Sequence, residues 1–252
     1  MRNIGVIPSR WGSTRFPGKS LHPICGKPLV QWVVEAASRA KLLDSVLVAT
    51  DDARIADAVR AFGGCAVMTR ADHPSGTDRV AEAAQPQDDD IVVNIQGDEP
   101  LINPALIDGL AERMRDDPGL AMATAATPIR NPRDLAATTV VKVVTAREGD
   151  ALYFSRLPIP FRRDGEADLS GGLYLRHLGI YAYRGAFLKR FVKEPPCELE
   201  LTEKLEQLRA LYIGGRIAVI RTDEPGVGVD TPEDAKAIEP LLRERFGLGE
   251  GQ

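Results

Sequence analysis

The sequence predicts an α/β chain with a mostly parallel central sheet and a smaller mixed or antiparallel extension. Two features of its 252 residues carry this expectation. Over roughly the first 120 residues, short Val/Ile-rich runs alternate with amphipathic stretches at helical spacing, the pattern of βαβ units. Beyond that point apolar runs follow one another with fewer helical stretches between them, as in antiparallel pairing.

The elements follow in order. Residues 4–7 are an apolar run that reads as a buried strand. Residues 28–39 read as a helix, with Pro28 in a first turn where its missing N–H costs nothing. Residues 45–50 are a second buried strand; Asp51 or Asp52 can cap the helix after it, and Gly63 can end that helix. A short strand at 65–69, a helix at 75–84 capped by Ser75 and a strand at 91–95 come next. Asn103-Pro104 opens a further helix. Residues 120–128, 140–145, 151–155 and 177–183 then read as strands. Between the last two, residues 158–172 are rich in Pro, Gly and charge and read as an exposed excursion. Residues 199–211 read as one amphipathic helix, with Leu201, Leu205 and Leu208 on its core stripe. A last strand at 216–221 precedes a helix capped by Thr231, with Pro232 first and Glu233 and Asp234 in its opening turn. The tail after Phe246 is expected to fray.

Composition narrows the function. Hydrophobic residues are 44% and charged residues 27%, a globular balance able to fold without disulfides or a structural metal. A net charge of -4 argues against general nucleic-acid binding, which needs surplus clustered cations. The three cysteines, Cys25, Cys65 and Cys197, are too far apart for a zinc or redox motif and read as reduced thiols. The apolar start is too short for a signal peptide and no apolar run is long enough to span a bilayer. A cytoplasmic location is the expectation.

In parallel sheets, ligands bind beyond the carboxyl ends of the strands. Three segments follow strand ends here: residues 8–19, Asp51-Asp52, and Gln96-Gly97-Asp98-Glu99-Pro100. The first holds Arg10, Gly12, Ser13, Thr14, Arg15, Gly18 and Lys19. Glycines for close backbone approach, small hydroxyls and three cations are what a triphosphate requires. The spacing is neither a Walker A loop nor G-x-G-x-x-G. In the third segment, Asp98 sits on a glycine-bearing turn past a strand and can point a carboxylate into the crevice. Magnesium takes one or two carboxylates together with phosphate oxygens and water, so Asp98 is a candidate ligand. A turn-forming or capping role accounts for a lone Asp equally well.

The pattern R-x-x-S-T-R-x-P-x-K at 10–19 resembles the signature loop of the sugar-nucleotide cytidylyltransferases, in particular the 3-deoxy-manno-octulosonate (Kdo) cytidylyltransferase family. The segments G-V-D-T-P-E-D at 228–234, Y-F-S-R at 153–156, R-H-L-G-I-Y at 176–181 and L-E-Q-L-R at 205–209 resemble the same family. The likeness runs over essentially the whole chain. It implies a Rossmann-like nucleotide-diphospho-sugar transferase fold in a single nucleotidyltransferase domain, 1–252. The nucleotide-binding part would be about 1–130 and 215–252, and the sugar-binding and dimerisation part about 131–214.

The resemblance also implies roles. Arg10, Ser13, Arg15 and Lys19 would hold the CTP phosphates, with Lys19 stabilising charge on the transferred group. Ser75, Gly76 and Gln96 would sit by the nucleotide. Asp98 and Asp230 would be the protein ligands of Mg2+, and with Lys19 would be the catalytic residues. Gln96, Arg156, His177, Tyr181, Glu206 and Gln207 would bind the sugar. His177 and Tyr181 share strand parity and would face one side, although a lone His or Tyr on a strand is more often structural. Glu206 and Gln207 lie beside the leucine stripe, where spacing alone does not separate a binding role from a solvated face.

The implied reaction is attack of the anomeric hydroxyl of Kdo on the α-phosphorus of CTP, giving CMP-Kdo and pyrophosphate for lipopolysaccharide synthesis. It would run in a Mg2+-dependent homodimer without membrane insertion. Such chemistry needs positioning and charge neutralisation rather than a protein nucleophile. Ala137-Thr138-Thr139 stands where the family carries Asn-Pro-Asn before V-V-K. That leaves open a modified ulosonic acid such as 8-amino-Kdo. The S-T-R-x-P-G-K loop disfavours a sialic-type enzyme, and the missing G-G-x-G-[ST]-R-L loop disfavours a uridylyl- or thymidylyltransferase. A non-catalytic nucleotide sensor is the remaining alternative.

Overall fold

The structure is a computed structural model that describes residues 1–12 and 16–248. β1 (Asn3–Pro8) is followed by a small hairpin, β2 (Pro23–Ile24) and β3 (Lys27–Pro28), and then by α1 (Leu29–Ala37). β4 (Ser45–Thr50), α2 (Ala53–Ala61), β5 (Cys65–Met68), α3 (Gly76–Ala84), β6 (Ile91–Asn94) and α4 (Pro104–Asp116) continue the alternation. β7 (Met122–Pro128), α5 (Pro132–Ala136), β8 (Lys142–Thr145), β9 (Ala151–Ser155) and β10 (Leu175–Arg184) follow. The chain ends with α6 (Gly185–Phe191), α7 (Glu198–Glu203), α8 (Gln207–Tyr212), β11 (Ile217–Arg221) and α9 (Pro232–Phe246). The short helices α5 and α6 lack a long apolar period and were not expected from the sequence.

Among the described residues the main sheet runs β11-β7-β10-β6-β1-β4-β5, with β8 and β9 attached through β10. β1 pairs in parallel with β4 and β6, β4 with β5, and β7 with β11. β10 is antiparallel to β6, β7 and β8. The reversed strand is therefore inserted into the parallel sheet rather than appended at its edge. This brings the end of β6 and the start of β10 to one crevice. A register shift between Leu178 and Tyr181 bends β10 there.

Caps form where the sequence places them. Asp52, Ser75, Asn103 and Thr231 each accept a hydrogen bond from the first turn of α2, α3, α4 and α9. Asp234 completes a capping box with Thr231. Two apolar clusters cover the two faces of the sheet. A third packs α9 on the β2–β3 hairpin through Trp32, Val229, Ile238 and Leu242. The Trp32 indole N–H donates to Ile24 O at 2.7 Å inside this cluster, so its polar atom is satisfied where the ring is buried.

The single helix expected at 199–211 is two helices. Lys204 takes a left-handed conformation (φ 53) between α7 and α8, which rotates the second segment out of phase with the first. Leu205 and Leu208 are buried in consequence, while Leu201 is 52% exposed instead of in the core. Past α9, Gly247 (φ 64) ends the helix. Residues 249–252, most of the tail expected to fray, lie outside the described residues.

Candidate active site

The turn 96–99 leaves β6 and crosses the end of β1. A Cβ at Gly97 would stand 2.9 Å from Pro8 O, so only glycine lets the turn pass so close. From the other direction, Val229 is fully buried in the third cluster. Its backbone N–H donates to Asp98 O at 2.9 Å. The Asp234 carboxylate accepts from the Asp230 and Thr231 N–H groups at 3.0 and 2.9 Å, and these bonds hold its pKa below the usual range. Sequence-remote Asp98 and Asp230 are thus fixed side by side by one backbone bond and one helix cap.

Both carboxylates converge on one cation. Lys19 Nζ donates to Asp98 Oδ2 at 2.7 Å and to Asp230 Oδ1 at 3.1 Å. Its side chain is mostly buried, while Asp98 and Asp230 are 30% and 46% exposed. Two carboxylate oxygens aimed at a single positive centre, open to solvent on one side, form the donor set an oxygen-loving divalent cation takes. The residues fit Mg2+ on this ground.

The acids line a cavity of about 490 Å3 together with Gln96, Glu99, Arg176 and Gly228. Gln96 donates through Nε2 to Gly179 O at 2.8 Å, which fixes its amide at the cavity wall. Burial, with help from Asp98, pushes Glu99 up to about 7, and Arg176 opposes the shift.

A second cavity of about 360 Å3 adjoins the first, because Arg176, Gly179 and Tyr181 line both. His177, Tyr181, Glu206 and Gln207, four of the residues expected on the sugar, line it together. The rings of His177 and Tyr181 are 5.4 Å apart, so the shared parity does place them on one side. The two residues of the bulge leave parity unchanged. Burial drives His177 down to about 3, so its imidazole is neutral and supplies no cation. Thr124 Oγ1 has one hydrogen and gives it to Ile180 O at 2.7 Å. It must therefore accept from His177 Nε2 at 2.9 Å, which assigns the tautomer. Tyr181 donates to Gln207 Oε1 at 3.3 Å, and burial raises its hydroxyl well above the ordinary value.

Glu206 ties the two parts of the cleft together. It accepts from Thr77 Oγ1 at 2.6 Å and pairs with Arg209 at 3.2 Å. Burial raises its pKa, against the pull of Thr77 and Ser75. Ser75 also donates to Asp78 Oδ2 at 2.6 Å while capping α3. Gly76, where an added Cβ would lie 4.0 Å from Pro8 Cγ, puts this helix start against the end of β1.

Arg156 stands apart from these residues. Its guanidinium donates to Glu203 O at 2.6 Å, Thr138 O at 3.0 Å and Lys204 O at 3.2 Å. Buried Lys142 donates to Ala137 O, Val140 O and Arg156 O. Arg156 and Lys142 together clamp the 137–140 segment and the α7–α8 break, which form the rim of the second cavity. Arg176 is the cation that sequence reasoning passed over. It lines both cavities, and among the described residues no hydrogen bond or ion pair engages its guanidinium. Its position beside His177 in R-H-L-G-I-Y was the available signal. Arg10 is exposed at the end of β1. Ser13 and Arg15, expected on the phosphates, lie outside the described residues.

The chain matches the cytidylyltransferase family over residues 4–217. It is 54% identical over 245 residues to a 3-deoxy-manno-octulosonate cytidylyltransferase of Syntrophobacter fumaroxidans, covering 96% of this chain and 97% of the relative. It is 52% identical over 250 residues to the protein of the same name in Geobacter sulfurreducens, covering 96% and 100% of the two chains. Its fold is similar to that of a CMP:2-keto-3-deoxy-manno-octonic acid synthetase solved in complex with CTP. That likeness has a TM-score of 0.91 at 44% identity and covers 97% of this chain and 100% of the other. A 4-diphosphocytidyl-2C-methyl-D-erythritol synthase from Anaerococcus prevotii shares the fold alone, at a TM-score of 0.64 and 13% identity over 96% and 98% of the two chains.

Proposed function

This chain belongs to the cytidylyltransferase family, and from that premise we propose that it transfers CMP from CTP to the anomeric hydroxyl of Kdo, releasing pyrophosphate. The observation that carries the reading is the convergence of Asp98 and Asp230 on Lys19 at the mouth of a two-chambered cleft. Mg2+ held by Asp98 and Asp230 would neutralise phosphate charge and lower the pKa of the attacking hydroxyl.

The protein's own groups do the rest. Lys19 leaves its carboxylate partners and turns its ammonium to the phosphates of CTP, with Arg10, Ser13 and Arg15 as the remaining phosphate ligands. Ser75 and Gly76 flank the nucleoside. Gln96 faces both substrates from the junction of the two chambers. His177, Tyr181, Glu206 and Gln207 hydrogen-bond the sugar hydroxyls. Arg176 grips the sugar carboxylate, for which a free guanidinium is well shaped. Arg156 stays a sugar-site residue whose present bonds are to the chamber rim. As the new bond forms between the anomeric oxygen and the α-phosphorus, the bond to the pyrophosphate oxygen breaks and the hydroxyl proton is released.

On this reading residues 1–130 and 215–252 serve the nucleotide and 131–214 the sugar. Leu157, Phe161 and Leu173 are exposed by 64%, 85% and 58%; apolar exposure of this kind favours a homodimer built on the sugar part. No helix among the described residues is long and apolar enough to cross a membrane, and we place the enzyme in the cytoplasm, supplying CMP-Kdo to lipopolysaccharide synthesis. The test is pyrophosphate release with Mg2+ and CTP, offering Kdo, 8-amino-Kdo and N-acetylneuraminate separately, with UTP as control. Release with CTP and Kdo is expected. Release only with 8-amino-Kdo would transfer the proposal to that acid, and no release with any acid would favour a sensor.

A further inference from the structure

Behind the acids lies a third chamber that the reaction does not use. It has a volume of about 450 Å3 and sits between α4, β10, the 224–227 segment and α9. Leu101, Ile102, Leu106, Leu178, Ile180 and Leu241 form apolar walls. The size suits a small organic molecule. Its charged lining is Glu99, Glu224 and Glu244 against Arg245 alone, so the interior is apolar and the polar edge is acidic. Glu224 is held by Asn103 Nδ2 at 2.8 Å. The Glu99 carboxyl meets the field of Arg176 from the side of the acid cavity.

The chamber shares two residues with the acid cavity, Glu99 and Gly226. Glu99 directly follows Asp98. Gly226 opens the short run to Val229 and Asp230, and Val229 is bonded to Asp98 O. Both segments that carry the reactive acids therefore double as walls of this chamber.

We propose that this chamber binds a small amphipathic cation, an apolar ring bearing one amine, and that its occupancy shifts the spacing of Asp98 and Asp230 through the two walls they share with it. The ring gains from leaving water in proportion to the area it buries. The amine meets the acidic edge of Glu224 and Glu244 beside the Glu99 carboxyl, whereas an anion of the same shape faces that edge with Arg245 alone to offset it. A ligand with different affinity for two arrangements of the walls shifts the balance between them.

The binding arm of the test does not depend on the proposed activity. Naphthylethylamine and the near-isosteric naphthylacetate are titrated into the full chain, followed by saturation-transfer NMR and thermal melting. Leu241→Trp and Leu106→Phe add bulk to the chamber wall at residues that line neither cavity of the cleft. The amine is expected to bind about tenfold tighter than the acid, and either filling variant should weaken it about fivefold or more. Binding of both probes with equal affinity, amine binding that neither variant weakens, competition with CTP, or no amine binding at millimolar concentration overturns the site. In turnover assays, the bound amine should change the Mg2+ concentration needed for half-maximal rate in the wild type and not in the filled variants. Binding without that change overturns the coupling and leaves the activity proposed above untouched.

Discussion

The two sides of the cleft, proposed above to hold the nucleotide and the sugar, are built differently. On the nucleotide side, Asp98 stands one turn past a parallel strand and Asp230 one residue before a capped helix, and both aim at Lys19. Each sits on a short loop next to its own element, and one backbone bond from Val229 to Asp98 O joins the two loops. On the sugar side, β10 runs against its neighbours with a bulge, and α7 and α8 meet at a left-handed lysine. Side chains there are aimed by contacts between distant segments, such as Thr77 with Glu206 and Arg156 with Glu203. The charged groups sit on short loops joined by a single backbone bond, whereas the other chamber is assembled by many contacts between distant segments.

The largest test of this contrast is Asp98→Asn. It should lower pyrophosphate release about a thousandfold, with circular dichroism and melting temperature little changed, because the Val229 bond uses the backbone oxygen of Asp98. A variant that unfolds instead would make the carboxylate structural. Lys19→Met should cut turnover about a hundredfold yet tighten divalent-ion binding in the absence of CTP, read by Mn2+ electron resonance, since no ammonium then sits between the acids.

The two arginines sharpen the sugar side. Arg176→Ala should raise KM for the acid sugar about tenfold to a hundredfold with KM for CTP nearly constant. Arg156→Ala should chiefly lower the melting temperature, because three carbonyls lose their donor. The opposite pattern would return the carboxylate to Arg156. The smallest effect concerns pH. His177 has a folded pKa of about 3 against an ordinary 6.5. Between those values the unfolded chain binds more protons, so this residue's stabilising contribution is complete above about 6.5 and is lost as pH falls towards 3. His177→Gln should flatten that part of the stability curve, measured by thermal melts across the range, while leaving the shape above pH 7 unchanged.

The contrast also explains what was legible. Caps at Ser75, Asn103 and Thr231, the parallel strands and the acid-bearing loops could be read because each depends on a few adjacent residues. The insertion of β10 could not, since strand order is a tertiary property. Leu201 was misplaced because helical spacing assumes an unbroken helix, and nothing around Lys204, which is not a glycine, signals a left-handed turn. Arg156 and Arg176 look equally available in sequence; only the carbonyls around Arg156 separate them.

The central claim, that Asp98 and Asp230 hold the divalent cation of the transfer, is tested most directly by changing ligand softness. Asp98→Cys is assayed for pyrophosphate release from CTP and Kdo with Mg2+, then with Mn2+ and Cd2+. A thiolate binds the softer ions better than it binds Mg2+. The account predicts near-complete loss with Mg2+ and recovery of about tenfold or more with Mn2+ or Cd2+, against no recovery in Lys19→Met. Full activity with Mg2+, or a folded variant that no ion restores, would contradict it.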